Sequence, residues 1–437
     1  MLVREITYLT QTNKIQYANI YASIKILIKL KQNIQNNHFL KVCFMINNFN
    51  IANKKVIIYG FGITGKWLSS NIKCDYFVDT DIKKCGNTFN NISVKRPDFL
   101  KQIKIDEYII IITTVDIFDV IPLVNRYSAN WISLSDVITI DSYDLGINIT
   151  DESDEFLKYS IDTVLQCQTA SFLKDSFYLR SVDLVITEKC TLKCKDCANL
   201  MQFYENPVNY EFEDILSGIK LLSAKTNFIH EVRVIGGEPF LNKQIYKIIY
   251  ELSLIDNINK IIVYTNGMIP PKEEELNNIN RNKLLFSITD YAELGRNLDK
   301  TIEILNNTNF AYRVHPPEHW TDSGKILERN NDVDFAEELF AKCCGKNLYT
   351  LIGNKLYRCP FAANADQLNA LPPNTNNFVS VDDSIENIRS FAYGINYIEA
   401  CMYCPGRSFD SPVIIPAIQA KKSIFYKKFI PVTLTHN

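Results

Sequence analysis

The chain has 437 residues, a length at which one hydrophobic core no longer suffices, so two or three domains are expected. Hydrophobic residues make up 46% and charged residues 22%, as in an ordinary globular protein. The formal net charge of -2 gives no global basis for a nucleic-acid partner or an anionic membrane surface. No apolar run reaches the ~18 residues of a membrane span, and no signal peptide is recognisable, so we expect a cytoplasmic protein.

A glycine-rich turn is the first motif in the chain. Gly60, Gly62 and Gly65 have the GxGxxG spacing between an apolar strand and a helix-compatible stretch. The first glycine permits a tight turn, the second lets a pyrophosphate approach the backbone, and the third packs helix on strand. Asp79 ends the next strand about twenty residues later, where an acid can bind ribose hydroxyls. Residues 46–150 are therefore expected to form a Rossmann-like parallel sheet that binds a nucleotide, and the alternative is that the glycines serve only the fold.

Three other segments carry no chemical motif. Residues 1–45 are expected to be a poorly ordered extension. Residues 151–180 have apolar side chains at helical spacing and are expected to form a linking helix. The tail from Ser411 holds four lysines among aromatic residues, which indicates a solvated end helix; contact with an acidic partner or an anionic membrane is the alternative.

A cysteine triplet is the most informative motif. Cys190, Cys194 and Cys197 have CxxxCxxC spacing and follow an apolar, β-branched run that indicates a buried strand. Three thiolates can hold three irons of a 4Fe-4S cube and leave the fourth iron without a protein ligand, whereas four would complete an ordinary electron carrier. Structural zinc normally takes a closed set of four ligands. The triplet therefore favours the cluster, with zinc as the alternative.

Strands and helices alternate from residue 181 to residue 322. This alternation predicts an α/β domain in which a parallel sheet curls into a partial (β/α)6 barrel of TIM type, with function at the C-terminal ends of the strands. Polar residues stand at several of these ends, namely Glu238, Asn266, Ser287 and Asp290. We expect them to converge with the cysteine triplet on one mouth of the barrel.

The stretch from Ser181 to Pro316 resembles the radical S-adenosylmethionine (radical SAM) enzymes. The cysteine triplet is their signature, and the GGEP sequence at 236–239 matches a second motif of the family. The resemblance implies that the triplet holds a catalytic 4Fe-4S cluster whose open iron chelates SAM. One departure is Asp196, which stands where the family usually has an aromatic residue.

The resemblance also implies a set of SAM-binding residues and a reaction. Glu238 is implied as a SAM ligand, with Gly236 and Gly237 allowing close backbone approach. Further SAM contacts are implied for Asn266, Ser287 and Asp290. An electron from a donor such as flavodoxin or ferredoxin would cleave SAM reductively, and the resulting 5′-deoxyadenosyl radical would abstract hydrogen from a small-molecule substrate.

A second group of cysteines lies within residues 323–437. Its members are Cys343, Cys344, Cys359, Cys401 and Cys404. A closed four-thiolate site made from them fits zinc or a second 4Fe-4S cluster. The segment resembles the small auxiliary-cluster domains, called SPASM or twitch, that follow many radical SAM barrels, which implies one more cluster with Cys343 or Cys344 as a ligand. Such a cluster would accept an electron from the substrate or anchor it.

The N-terminal unit narrows the expected substrate. Its glycine turn and the sequence Val78-Asp79-Thr80-Asp81 resemble the nucleotide-binding domains of bacterial sugar-modifying acyltransferases. We therefore expect a nucleotide-linked sugar or another carbohydrate that is oxidised or otherwise modified. The alternatives are a radical SAM maturase of a small peptide and a zinc-bound regulatory or scaffold protein without enzymatic activity.

Overall fold

The computed structural model describes most of the chain beyond residue 53. The described residues are 54–128, 130–140, 142–146, 148, 150–317, 320–327, 332–373, 375–408 and 411–429. The expected extension at 1–45 lies outside them. Within these stretches, no helix combines the length and the apolarity that crossing a membrane requires.

The first sheet contains six strands in the described part of the chain. They are β1 Lys55–Tyr59, β2 Tyr76–Val78, β3 Thr88–Phe89, β4 Ile92–Lys95, β5 Tyr108–Ile112 and β6 Trp131–Ser133. Their spatial order is β3-β4-β2-β1-β5-β6, and every neighbouring pair is parallel except β3 with β4. The accompanying helices are α1 Ile63–Asn71, α2 Ile117–Val124 and α3 Leu134–Val137. The strand order reverses between β1 and β5, which is the position at which sheets of this kind generally bind ligands.

One helix, α4 Asp154–Ser171, links the first sheet to the second. Ser153 caps its N-terminus by accepting a hydrogen bond from the Phe156 N–H. Leu157 and Ile161, four residues apart on one face, pack into the core of the first sheet, whereas Phe156 packs on strands of the second. The predicted linker is thus a helix that both sheets share.

The second sheet contains eight strands among the described residues. They are β7 Tyr178–Thr187, β8 Phe228–Gly236, β9 Ile258–Thr265, β10 Leu284–Thr289, β11 Ala311–His315, β12 Tyr349–Ile352, β13 Lys355–Tyr357 and β14 Phe378–Ser380. The helices between and after them are α5 Phe212–Ala224, α6 Ile245–Ser253, α7 Glu273–Leu276, α8 Leu298–Thr308, α9 Val333–Lys342, α10 Pro360–Gln367 and α11 Ile385–Tyr393. The spatial order is β11-β10-β9-β8-β7-β12-β13-β14, with parallel pairing from β11 to β12 and antiparallel pairing beyond.

The sheet differs from the expected six-unit barrel in the origin of its sixth parallel strand. Five parallel strands lie between residues 178 and 315, and the sixth, β12, comes from the cysteine-rich C-terminal segment. Because β8 pairs with only one edge of β7, the other edge carries unpaired backbone groups, and β12 satisfies them. The three described strands that follow residue 323 thus extend the sheet of the preceding strands.

Sequence periodicity explains the packing around the second sheet. On β7, Val182, Leu184 and Ile186 alternate toward one face and pack there against α5. Ile215 and Ile219 of α5 are four residues apart and present one apolar stripe to the strands. The opposite face carries buried charge: Arg233 Nε donates to Asp183 Oδ1 at 2.5 Å, and Tyr159 of α4 donates to Glu231.

The C-terminal tail is extended, so the expected end helix is wrong. Residues 411–429 contain no helix, and isolated bridges join Val413 to Thr321 and Gln419 to Cys194. Farther on, Ile424 N–H donates to the Gln202 carbonyl at 2.9 Å. These bonds satisfy the backbone against the rest of the protein, which is why the tail does not need helical bonds of its own.

Candidate active site

The cysteine triplet lies in a loop directly after β7, as predicted. Cys194 is only 7% exposed and packs with Leu192 and Ala417, while Cys190 and Cys197 border the same cluster of side chains. Burial raises the pKa of Cys190 to about 12 and of Cys194 to about 11, and the nearby Cys197 thiol raises both further. These neighbouring and largely enclosed thiols are therefore poor acids by themselves, and binding of a cationic metal group would favour their thiolate forms.

The GGEP turn at 236–239 packs directly against this loop. The Gly237 N–H donates to the Thr187 carbonyl at 3.1 Å, and the Glu238 N–H donates to the Lys189 carbonyl at 2.7 Å. A Cβ at Gly237 would stand 2.2 Å from the Lys189 carbonyl oxygen and 2.8 Å from the Cys190 Cβ, and one at Gly236 would stand 2.2 Å from the Thr187 oxygen. The two glycines thus allow close approach, as predicted, and the neighbour that approaches is the cysteine loop.

The Glu238 carboxylate is fully buried and its hydrogen bonds link two strand ends. Thr265 Oγ1 donates to both of its oxygens, at 2.9 and 3.0 Å, and the Asn266 N–H donates to Oε2 at 2.9 Å. The Phe240 N–H adds a bond to Oε1 at 3.2 Å. Burial raises the pKa of Glu238 to about 7 despite these donors. The carboxylate therefore fastens the end of β8 to the end of β9.

The other predicted polar residues differ in how closely they approach the cysteines. Asn266 is 8% exposed, and its Nδ2 donates to Thr191 Oγ1 at 2.9 Å and approaches Cys190 Sγ at 3.9 Å. Ser287 Oγ lies 3.1 Å from His315 Nε2, and Asp290 Oδ1 accepts from the Ala292 N–H at 2.7 Å. Of these residues, only Asn266 contacts the cysteine loop in the described structure.

Two contacts to the cysteine loop were not foreseen from the sequence. Gly324 packs so closely that an added Cβ would lie 2.5 Å from the Asp196 carbonyl carbon and 2.8 Å from the Cys197 oxygen. Gln202 is fully buried, and its Nε2 donates to the Gly324 carbonyl at 2.7 Å and to the Cys197 carbonyl at 3.3 Å. A lone glycine and a lone glutamine far apart in the chain offered no pattern that links them to the triplet.

The C-terminal tail makes the third unforeseen contact. The Lys195 N–H donates to the Ile418 carbonyl, and the Ala420 N–H donates to the Lys193 carbonyl, both at 2.7 Å. The Gln419 side chain lies between these bonds, and its Nε2 donates to Cys194 Sγ at 3.3 Å. The cysteine loop is consequently held by the GGEP turn, by Gly324 and by the tail.

The comparisons with known proteins agree with this geometry. Residues 184–331 match the Radical SAM superfamily. The chain therefore contains a radical SAM domain. A GTP 3′,8-cyclase from Clostridium acetobutylicum is 41% identical over 97 residues, which are 22% of this chain and 29% of that protein.

A second curated relative and a solved structure extend the comparison. A GTP 3′,8-cyclase from Lactiplantibacillus plantarum is 26% identical over 144 residues, 31% of this chain and 42% of that protein. The matches to these relatives thus span well under half of their length. The crystal structure of BtrN in complex with AdoMet and 2-DOIA is similar with a TM-score of 0.36 and 11% identity, over 53% of this chain and 94% of that one.

The second cysteine group lies in the segment that follows the radical SAM domain. Burial raises the pKa of the Cys359 thiol well above its usual range, and the nearby Cys343, Cys404 and Cys401 raise it further, so these three thiols lie near Cys359. Cys359 precedes α10, and its Sγ accepts from the Ala362 N–H at 3.4 Å. Cys344 follows Cys343 in the chain, and its N–H donates to the Arg407 carbonyl at 2.7 Å. Cys343, unlike Cys344, is among the thiols that influence Cys359, which favours Cys343 as the fourth member of the group.

Neither cysteine group is closed around a single ion. Among the described residues, no three Cys, His, Asp or Glu side chains converge tightly enough to hold one metal ion. A zinc ion would need its sulfurs about 2.3 Å from one centre. A 4Fe-4S cube presents a separate iron to each thiolate, so its ligands can stand farther apart.

The glycine turn of the N-terminal unit has the predicted geometry. Gly60 has φ +116°, a backbone conformation that favours glycine, and a Cβ at Gly65 would stand 2.0 Å from the Gly60 oxygen. A Cβ at Gly62 would meet no heavy atom within 4 Å, so the space beside it is open. Asp79 is 7% exposed; its Oδ2 accepts from the Phe61 N–H at 2.8 Å and lies 3.2 Å from Lys84 Nζ. The Asp79 carboxylate, which the sequence predicts to bind ribose, thus stabilises the glycine turn through this hydrogen bond.

Proposed function

We propose that this protein is a radical SAM enzyme whose catalytic 4Fe-4S cluster is bound by Cys190, Cys194 and Cys197. The observation that carries the proposal is the meeting of one buried and two partly buried thiols on one loop after β7, packed against the GGEP turn. When bound, the cluster supplies the electron that cleaves SAM to methionine and a 5′-deoxyadenosyl radical, which abstracts a substrate hydrogen.

The surrounding residues have distinct parts in this proposal. Gly236 and Gly237 let the turn lie against the cysteine loop, where its backbone is available to the amino group of SAM. Glu238 positions that turn, because its carboxylate is engaged with Thr265 and Asn266. Asn266 contacts the cysteine loop through Thr191, and it is assigned to SAM on the sequence resemblance. Ser287 and Asp290 are assigned to SAM from the end of β10, on the sequence resemblance.

We extend the proposal to a second cluster. Cys343, Cys359, Cys401 and Cys404 provide the four thiolates of a closed site, and their mutual electrostatic influence supports it. On this assignment the segment is an auxiliary-cluster region of SPASM or twitch type that shares the sheet of the radical SAM domain. Zinc in the same four thiolates is the competing occupant.

We propose a nucleotide-linked substrate, with a sugar as the part that reacts. The open space at Gly62, beside the free N-terminal N–H groups of α1, supports pyrophosphate binding in a Rossmann-like unit. The curated relatives, named GTP 3′,8-cyclase, also point to a nucleotide. The competing substrate is a small peptide.

Metal analysis tests the central proposal. Iron, sulfide and zinc are measured after anaerobic purification of the wild type and of a Cys190, Cys194, Cys197 triple alanine variant, and electron paramagnetic resonance spectra are recorded with and without SAM. We expect about eight irons in the wild type and about four in the variant, with the SAM-sensitive signal lost. If the wild type holds only four irons and the variant holds none, the proposal of a second cluster is wrong. Zinc without iron would overturn the radical proposal.

Ligand-induced stabilisation tests the substrate class. The full chain is heated with GTP, with nucleotide sugars and with the corresponding free sugars, and the Gly62→Val variant is the matched control. A nucleotide at a hundredfold excess over its dissociation constant should add about 2.7 kcal/mol of stability to the wild type and little to the variant. Equal response of both proteins to every nucleotide would refute binding at this turn.

A further inference from the structure

The C-terminal tail reaches the cysteine loop through a continuous set of hydrogen bonds. The Lys195 and Ala420 N–H groups form the backbone bonds on either side of Gln419, each 2.7 Å long. Lys193 Nζ then donates to Ser423 Oγ at 2.9 Å, and Ser423 Oγ donates to the Tyr204 carbonyl at 3.2 Å. These bonds hold residues 417–424 against the cysteine loop.

Three hydrogen bonds fix the amide plane of Gln419. Its Oε1 accepts from the Lys193 N–H at 2.8 Å, and its Nε2 donates to the Ala417 carbonyl at 2.7 Å and to Cys194 Sγ at 3.3 Å. Because the Lys193 partner is a donor and the Ala417 partner is an acceptor, the oxygen and nitrogen ends cannot be exchanged. The amide therefore presents an N–H group to the sulfur of the middle cysteine.

The backbone conformation of the tail at Ala417 is stabilised by contacts with the cysteine loop. The Ala417 φ of +58° is unusual for a residue with a side chain, and the residue is buried against Leu192 and Cys194. Such a backbone conformation is unfavourable by itself and persists only where the surrounding contacts stabilise it. The turn at Ala417 is what directs Gln419 back toward the loop.

We propose that Gln419 is a positioning residue that sets the reduction potential of the cluster bound by the cysteine triplet. The inference rests on the proposed function above. A hydrogen bond donated to a ligating sulfur stabilises the more negative, reduced state, and such bonds are among the factors that set cluster potentials. Removal of this donor should make the cluster about tenfold harder to reduce, which is about 59 mV for a one-electron couple.

Two substitutions separate the donor from the rest of the side chain. Gln419→Glu keeps the oxygen that accepts from Lys193 and lacks the N–H group, whereas Gln419→Met removes both without adding charge. Gln102→Met, at an exposed glutamine in the N-terminal unit, is the matched control. The readouts are the midpoint potential of the SAM-sensitive paramagnetic signal, the iron content, and the hydrogen-exchange protection of the Lys195 and Ala420 amides in the metal-free protein.

The outcomes distinguish this inference from the proposed function. We expect both Gln419 variants to have a lower potential than the wild type, with iron and amide protection kept and Gln102→Met unchanged. Equal potentials in iron-loaded variants would overturn the role of Gln419 alone. A lower potential seen only with lost Lys195 and Ala420 protection would also overturn it, since the tail as a whole would then be responsible. A wild type that binds no iron would overturn the proposed function and this inference with it.

Discussion

Replacement of Gly237 by alanine should displace the cysteine loop. The new methyl carbon would stand 2.2 Å from the Lys189 carbonyl oxygen, 2.6 Å from its carbon and 2.8 Å from the Cys190 Cβ. None of these atoms can move by side-chain rotation, so the loop or the turn has to shift. Overpacking of this kind costs about 1–3 kcal/mol. The shift carries Cys190 with it, and we therefore expect iron bound at the triplet to fall toward the level of the triple alanine variant.

Urea denaturation of the metal-free protein and iron content after anaerobic reconstitution measure the two effects. Gly62→Ala is the matched control, because its methyl would meet no heavy atom within 4 Å. The loss of a glycine N-cap costs at most about 1 kcal/mol there, and iron should stay at the wild-type level. A Gly237→Ala protein with wild-type stability and wild-type iron would refute the close-approach reasoning.

Two further predictions concern the buried polar groups between the sheets. Burial lowers the pKa of His230 from 6.5 to about 4. Between pH 6.5 and pH 4, the imidazole is therefore protonated in the unfolded chain and neutral in the native protein. The free energy of unfolding should fall by about 3 kcal/mol as the pH drops through this window, and His230→Gln should flatten that slope in urea titrations. Arg233→Met should cost about 3–5 kcal/mol because it leaves Asp183 buried without its partner, and a milder loss in the Arg233→Met, Asp183→Leu double variant would confirm the cause.

The sequence predicts most of what is local in this structure. The strand before the triplet, the amphipathic helix at 212–224 and the glycine turn follow from periodicity and from conformational preference, which act over a few residues. The site could be predicted to the extent that its ligands are neighbours in the chain. Cys190, Cys194 and Cys197 share one loop, so their meeting needs no knowledge of tertiary structure.

Local sequence patterns could not predict the pairings between distant segments. Nothing in Tyr349–Ile352 distinguishes a strand that completes the edge of β7 from a strand of a separate domain. The tail from Ser411 was expected to be helical from composition, yet its backbone is satisfied by loops more than 200 residues earlier. Cys343 and Cys344 could not be distinguished from the sequence, because two adjacent cysteines have the same chemistry and differ only in the direction of their side chains.

The second cysteine group lies on the same sheet as the first. Its Cys359 follows β13, which pairs with β12, and β12 pairs with β7, the strand that leads into the cysteine triplet. Pro360, next to Cys359, lines one small cavity together with Asn199 and Gly236, which belong to the cysteine loop and to the GGEP turn. The two groups are therefore neighbours around this part of the sheet.

A substitution in the second group can divide it from the triplet. Cys343→Ser should reduce iron by the share of the second group while SAM cleavage to 5′-deoxyadenosine continues, because the three proposed ligands of the catalytic cluster are left intact. Cys344→Ser, the matched control, should keep the iron of both clusters and the cleavage activity, because the proposed fourth ligand is Cys343. Loss of SAM cleavage in Cys343→Ser with iron retained at the triplet would mean that the two groups act as one site. Loss of iron in Cys344→Ser alone would instead reverse the assignment of the fourth ligand.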